Sequence, residues 1–225
     1  MKRAALFLIL AGALVACEEP QRTAGQVAAV ADTEAAARLY RENYMQAATA
    51  QNAGDYSVAE KWHRTNLTLV ESAPGLPPEF GVIARYNLAS AVMIQGRLDE
   101  AEALLHEAQG VLDAVPQIEP TIKAYLLGNW GALKGKQRQF ELAEEMLKEA
   151  LAILEDTDGL RNKAAAAGQI ELARIQVQLG KLESAEGNYR HALRIVSELG
   201  FPESNPYFVE AMGEHEALQE RLGIQ

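Results

Sequence analysis

Leu98-Asp99-Glu100-Ala101-Glu102-Ala103-Leu104-Leu105-His106-Glu107-Ala108-Gln109-Gly110-Val111-Leu112 decides the fold, because the chain writes it again one period later. Leu98, Ala101, Leu104, Leu105, Ala108, Val111 and Leu112 recur at three- and four-residue steps, which draws one apolar stripe along a helix. Phe140, Ala143, Met146, Leu147, Ala150, Ile153 and Leu154 copy that stripe 42 residues on. The interval extends both ways. Ala59, Ala101, Ala143 and Ala185 form one column, Tyr56, Leu98, Phe140 and Leu182 a second, and Leu69, Val111, Ile153 and Ile195 a third. A fixed period of this size marks a solenoid, whose units are too small to bury their apolar faces alone.

Each period holds a second amphipathic segment, with Leu88-Ala89, Trp130-Gly131 and Leu172-Ala173 in register. Small residues in the 89, 131 and 173 column let two helices approach closely. Gly54, Gly96 and Gly180 stand between the segments, where glycine can close one helix in the left-handed conformation and turn into the next. Prolines at 74, 77, 78, 116, 120, 202 and 206 fall in the inferred loops between repeats, and Asp156-Thr157-Asp158-Gly159 serves the same purpose. The pattern predicts helices near 33–52, 56–71, 79–95, 98–113, 119–136, 140–155, 160–179, 182–198 and 206–222.

Ala84-Arg85-Tyr86-Asn87-Leu88-Ala89, then Gln95-Gly96-Arg97-Leu98-Asp99-Glu100-Ala101-Glu102, then Leu105 and Ala108, resembles a tetratricopeptide repeat. The usual unit is about 34 residues. The longer unit here is similar to the kinesin-light-chain type. This resemblance implies an all-α, right-handed α-solenoid of about four helix–turn–helix units over 32–200, with a capping helix within 201–225. The second repeat matches well. The third has Arg138 in the turn-glycine column with Gly135 earlier, and the first has Gln46 and Asn66 where apolar or small residues are expected.

The N-terminus reads as a targeting segment. Lys2 and Arg3 precede an apolar stretch from Ala4 to Ala16, shorter than the ~20 residues of a membrane span and typical of a secretory signal. Leu14-Val15-Ala16-Cys17 resembles the lipobox of bacterial lipoprotein precursors. That resemblance implies removal of 1–16, acylation of Cys17 and anchoring to a membrane by lipid, with 17–31 as a flexible tether. By resemblance to bacterial sorting patterns, Glu18 rather than Asp after the cysteine implies the outer membrane over the inner, with the chain on the periplasmic face. Cys17 is the only cysteine, so no disulfide or Cys-based metal site competes for it.

A formal charge of −10 argues against nucleic acid, which calls for a basic face, and 48% hydrophobic content suffices for a packed core. Catalytic chemistry is not in evidence. His63, His106, His191 and His215 are scattered, and Gly213-Glu214-His215-Glu216 lacks the second histidine of a zinc motif. Gly131-Ala132-Leu133-Lys134-Gly135-Lys136-Gln137 has the wrong glycine spacing for a phosphate loop and no Ser or Thr after the lysine. Asn66-Leu67-Thr68 is an accidental sequon inside a helical pattern. Glu144-Glu145 and Glu100-Ala101-Glu102 read as solvated helix faces. No metal or cofactor is expected, and the chain is read as a non-enzyme.

In tetratricopeptide arrays the first helices of successive units line a concave groove that takes a peptide or partner helix. By that resemblance the columns Tyr44, Tyr86, Gly128, Ile170 and Met45, Asn87, Asn129, Glu171 face the groove. Asn87 and Asn129 fit the gripping of a ligand backbone, because a carboxamide both donates and accepts. Tyr44, Tyr86 and Tyr125 offer amphipathic contact area, and Arg174 a partner for a carboxylate. No repeated lysine–asparagine set stands there, so recognition of a C-terminal carboxylate is not expected. The expected function is a lipid-anchored scaffold or adaptor that holds a protein or peptide partner at the bacterial cell envelope, in assembly of an envelope complex. The alternatives are an envelope enzyme or small-molecule binder with its site in the groove, and a self-associating structural protein.

Overall fold

The computed structural model describes residues 24–115, 117–157, 162–200 and 205–224. Among them the chain forms α1 (Ala24–Asn52), α2 (Tyr56–Ser72), α3 (Pro78–Ile94), α4 (Leu98–Ala114), α5 (Pro120–Lys136), α6 (Phe140–Thr157), α7 (Lys163–Gln178), α8 (Leu182–Glu198) and α9 (Pro206–Leu222), with no strand. Helices pair as α1–α2, α3–α4, α5–α6 and α7–α8. Each second helix packs on the first helix of the next pair, and α3 touches α5 as α5 touches α7. This is an α-solenoid of four helix pairs closed by α9. Cys17, the signal segment and Asp158-Gly159 lie outside the described residues. No described helix is long and apolar enough to cross a membrane.

The turn inside each pair repeats bond for bond. Asp55, Arg97, Gln139 and Lys181 N–H groups donate to the carbonyls of Ala50, Val92, Lys134 and Gln176, at 2.9, 3.0, 2.9 and 2.8 Å. This six-to-one bond is the Schellman closure, and it demands a left-handed residue in the middle. Gly54, Gly96 and Gly180 supply it at φ 78°, 83° and 72°; in the third pair Arg138 supplies it at φ 63°. The turn that looked least regular in the sequence thus has the geometry of the others, with a side chain where glycine relieves strain elsewhere.

Prolines mark the other ends of the units. Pro78, Pro120 and Pro206 are the first residues of α3, α5 and α9, inside the helices rather than in the loops before them. A first-turn N–H has no helical partner, so proline costs nothing there and its fixed φ favours the start. Asn162 and Asn205 cap α7 and α9 by accepting from the N–H groups of Ala165 (2.8 Å) and Tyr207 (3.1 Å).

Ala59, Ala101, Ala143 and Ala185 are wholly buried, as are Ala47, Ala89 and Ala173 in the facing first helices. At Gly131, which shares the column of the last three, an added Cβ would lie 2.7 Å from Leu147 Cγ and 3.3 Å from the Ala143 carbonyl oxygen. The core crosses unit boundaries. Leu88, Ala89 and Val92 of α3 and Ala101 and Leu105 of α4 form one cluster with Leu126, Trp130 and Leu133 of α5. Each buried leucine or valine among them contributes about 1.5–3 kcal/mol of transfer free energy, so a unit without its neighbour loses much of what holds it.

Two sequence expectations change. The tether expected over 17–31 is helical from Ala24, since the alanine-rich run Ala28–Ala37 favours helix enough to carry Gly25 in the first turn. Asn66 occupies the column of Ala108, Ala150 and Ala192 and is as buried as they are. Its carboxamide is satisfied internally. Asn43 Nδ2 donates to Asn66 Oδ1 at 2.9 Å, and Asn66 Nδ2 donates to the Tyr40 carbonyl at 3.0 Å. The first unit replaces an apolar contact by a closed polar one, which also leaves the sequon at Asn66 inside the core.

Candidate functional site

Asn87 and Asn129 stand one period apart on α3 and α5, both half-buried. Their side chains take the same pose: Asn87 Nδ2 donates to the Ile83 carbonyl at 2.9 Å and Asn129 Nδ2 to the Tyr125 carbonyl at 2.8 Å. A carboxamide has two N–H donors and one carbonyl acceptor. One donor therefore holds the group against its own helix, and one donor and the acceptor remain for a ligand at each site. The bond to the preceding turn fixes the rotamer, which lowers the entropy lost when a ligand binds.

The tyrosines divide. Tyr44 is 40% exposed and Tyr125 half-buried, whereas Tyr86 is only 8% exposed and packs edge-on against Tyr125 with centroids 6.2 Å apart. Burial pushes the Tyr86 phenol well above its ordinary pKa, so it stays protonated. Tyr86 shapes the floor under Tyr125 instead of offering free surface. Met45, one residue from Tyr44, is 61% exposed.

Arg174 is taken up inside the fold. Its guanidinium meets Glu171 (2.8 Å), Glu214 (2.8 Å) and Glu210 (3.3 Å) and lies 4.9 Å from the centre of the Tyr207 ring. Burial opposes its charge, but the Glu171 and Glu214 carboxylates and the Tyr207 hydroxyl outweigh that and raise its pKa further. It ties α7 to α9, an arrangement that spacing on α7 alone does not reveal, since Glu214 is 40 residues away.

A second periodic set went unread in the sequence. Glu60, Glu102, Glu144 and Glu186 directly follow the four alanines, and each reaches forward to the next unit. Glu60 accepts from Gln95 (2.8 Å) and Arg97, and Glu102 from Lys134 (2.8 Å) and Gln137 (2.9 Å). Glu144 accepts from Gln176 (3.4 Å) and Lys181, and Glu186 lies 3.4 Å from His215 Nε2. The expectation that these carboxylate runs are solvated faces fails for Glu102 and Glu144, whose side chains are 31% and 9% exposed. Burial would raise the Glu60 pKa, but bonds from Arg97, Gln95 and Arg64 bring it to about 2; Lys148 and Lys181 hold Glu144 at about 2 as well. The signal was available as a fourth 42-residue column, but helix periodicity alone scores glutamate as a polar face.

Among the described residues no group of three His, Cys, Asp or Glu side chains is placed to hold a metal ion. The histidines serve packing and bonding: His106 lies edge-on to Trp130 at 4.8 Å and His191 Nδ1 is 2.9 Å from Gln169. Gly131 to Lys136 is continuous helix, and Lys134 is paired with Glu102.

Successive helix pairs, a left-handed residue at every inner turn and small residues between paired helices define a tetratricopeptide-type solenoid. Residues 122–198 match the family model described as tetratricopeptide repeat. Among solved structures the chain is similar to BtubC (BKLC) from P. vanneervenii, with 20% identity over 88% of this chain and 82% of that one and a TM-score of 0.58. It is similar too to a putative kinesin light chain of Podosopora anserina with nearly identical TPR-like repeats, with 19% identity, 84% and 88% coverage and a TM-score of 0.55. No curated protein matches. Tetratricopeptide arrays are generally protein-interaction scaffolds without catalytic activity.

Proposed function

We propose that this chain is a lipid-anchored scaffold of the bacterial cell envelope that holds an extended segment of a protein partner along the first helices of its middle units. The observation that carries the partner-binding half is the matched pair Asn87 and Asn129, pre-oriented one unit apart with a donor and an acceptor each to spare. Tyr125 and the exposed Tyr44 add apolar contact area beside them. Recognition through carboxamides reads peptide backbone and leaves side-chain choice to the flanking surface. The anchoring half rests on Lys2, Arg3, the apolar stretch that follows and Leu14-Val15-Ala16-Cys17. A single acyl chain binds membranes only marginally, so stable attachment needs the multiple acylation that a lipobox cysteine receives.

Each half has its own test. Affinity capture from solubilised envelope compares the natural chain with Asn87→Ala/Asn129→Ala; a partner retained by the first and lost by the second, with equal thermal stability, is the expected result. Retention of every partner by the folded double variant overturns the groove. For the anchor, metabolic labelling with a palmitate analogue is expected to mark the natural chain and not Cys17→Ser. Equal labelling of both overturns it.

A further inference from the structure

The two ends of the array touch. Asn52, the last residue of α1, accepts through Oδ1 from Lys163 Nζ at 2.6 Å and from Asn205 Nδ2 at 3.4 Å, across 111 and 153 residues. Beside it a Cβ placed on Gly54 would lie 3.0 Å from Pro206 Cγ and 3.9 Å from Pro206 Cβ. Tyr56, at the start of α2, feels the charges of Glu210 and Arg174 on α9 and α7. The principal groups on both sides belong to first helices, the C-terminal end of α1 and the N-terminal ends of α7 and α9, so the bridge crosses the face that the first helices line. Nothing in the 42-residue repeat requires this contact: Ile94, Lys136 and Gln178, the equivalents of Asn52, are exposed.

We propose that this contact is a clasp that gates the concave face, holding the array closed around its own groove until the first unit swings away from α7 and α9. The gating role rests on the reading of that face as the partner surface; the clasp itself does not. The parts are matched to a reversible latch. Two side-chain hydrogen bonds at a partly exposed site, with Pro206 set against Gly54, are a small contact for holding two ends of an array together. A hydrophobic unit boundary such as that between α4 and α5 is far more extensive. The clasp therefore opens before any unit unfolds.

Two measurements on the full chain carrying Cys17→Ser test it. First, Gly54→Cys/Pro206→Cys places two Cβ atoms near the 3.9 Å read here, within the range a disulfide spans. A side chain at position 54 is strained by the positive φ, but the turn still forms with one, since Arg138 stands at the same turn with φ 63°. Intramolecular cross-linking under mild oxidant is expected. Its failure in a folded variant means that the ends do not meet, and overturns the proposal.

Second, Ser90→Cys puts a thiol one turn beyond Asn87 on the same helix, and its labelling is followed with N-ethylmaleimide and with a bulky polyethylene-glycol maleimide. Asn52→Lys sets an ammonium against Lys163, and Lys136 shows that the column accepts lysine. The expected result is that Asn52→Lys speeds labelling by the bulky reagent about 2- to 10-fold, the factor that one hydrogen bond of this kind represents, and leaves the small reagent unchanged. Equal bulky-reagent rates with and without Asn52→Lys overturn the gate. A failed groove assignment would show instead as partner retention by Asn87→Ala/Asn129→Ala, with both labelling results intact.

Discussion

Replacing Arg138 by glycine should stabilise the protein, because the third turn carries a side chain in backbone geometry that the other three give to glycine. Arg138 sits at φ 63°, against 78°, 83° and 72° for Gly54, Gly96 and Gly180. For an L-residue the left-handed conformation costs about 1–2 kcal/mol. Glycine removes that cost but gives back about 0.5–1 kcal/mol through its larger unfolded entropy. The change also removes the Arg138 guanidinium, 6.0 Å from the centre of the Phe140 ring. At an exposed site that interaction is worth at most about 0.5–1 kcal/mol, at the outer limit of its range. The balance is a gain of up to about 1 kcal/mol, the more the weaker the lost contact with Phe140 is.

Urea denaturation followed by circular dichroism reads it, with Arg138→Ala as the control. Alanine keeps the Cβ and the strain while losing the arginine, so it should gain nothing. Gly96→Arg is the reverse experiment. A Cβ there meets nothing within 4 Å, so the expected loss of about 0.5–1 kcal/mol comes from the backbone alone. Arg138→Gly equal to or below Arg138→Ala in stability would refute the reasoning.

His63 shares a column with Leu105, Leu147 and Tyr189, is 1% exposed, and has no hydrogen-bond partner for Nε2. Burial lowers its pKa from 6.5 to about 4, so the fold holds it neutral. Its contribution is complete above pH 6.5 and falls away as pH drops towards 4, by about 3 kcal/mol in all; His63→Leu should abolish that slope between pH 6.5 and 4.5, above the range in which Glu60 and Glu144 titrate, and a urea midpoint that still falls equally in the variant would contradict the assignment. Gly131→Ala should cost about 1–3 kcal/mol by overpacking against Leu147 and the Ala143 backbone. Gly135→Ala meets the end of the Ile175 side chain at 2.5 Å and Ala143 Cβ at 4.0 Å, atoms that can give more readily than the Ala143 carbonyl beside Gly131, and should cost less than Gly131→Ala in thermal melts. Equal penalties at 131 and 135 would show that the close approach of α5 and α6 is not specific to the 131 column.

The second helices were legible to the residue at their starts. Tyr56, Leu98, Phe140 and Leu182 each open a helix where the repeat places a large apolar side chain after the turn. This worked because the signal is local: a stripe, a glycine and a four-residue column. The start of α1 was missed because Gly25 and Pro20 argued for a tether while the neighbouring alanines argued for helix. Arg174, the glutamate column and the clasp depend on partners 29 to 153 residues away, and the repeat fixes which helices meet without fixing which polar groups do. Asn87 and Asn129 were legible as positions, while their rotamers required the carbonyls one turn back.

Site-specific photo-crosslinking in cells tests the central claim most directly. A photoreactive phenylalanine at Tyr125, on the first helix of the third unit, is set against the same residue at Glu145, exposed on the second helix of that unit. Covalent adducts to a partner from position 125 and none from 145 are expected. Adducts from 145 alone would place the partner on the outer helices and contradict the account.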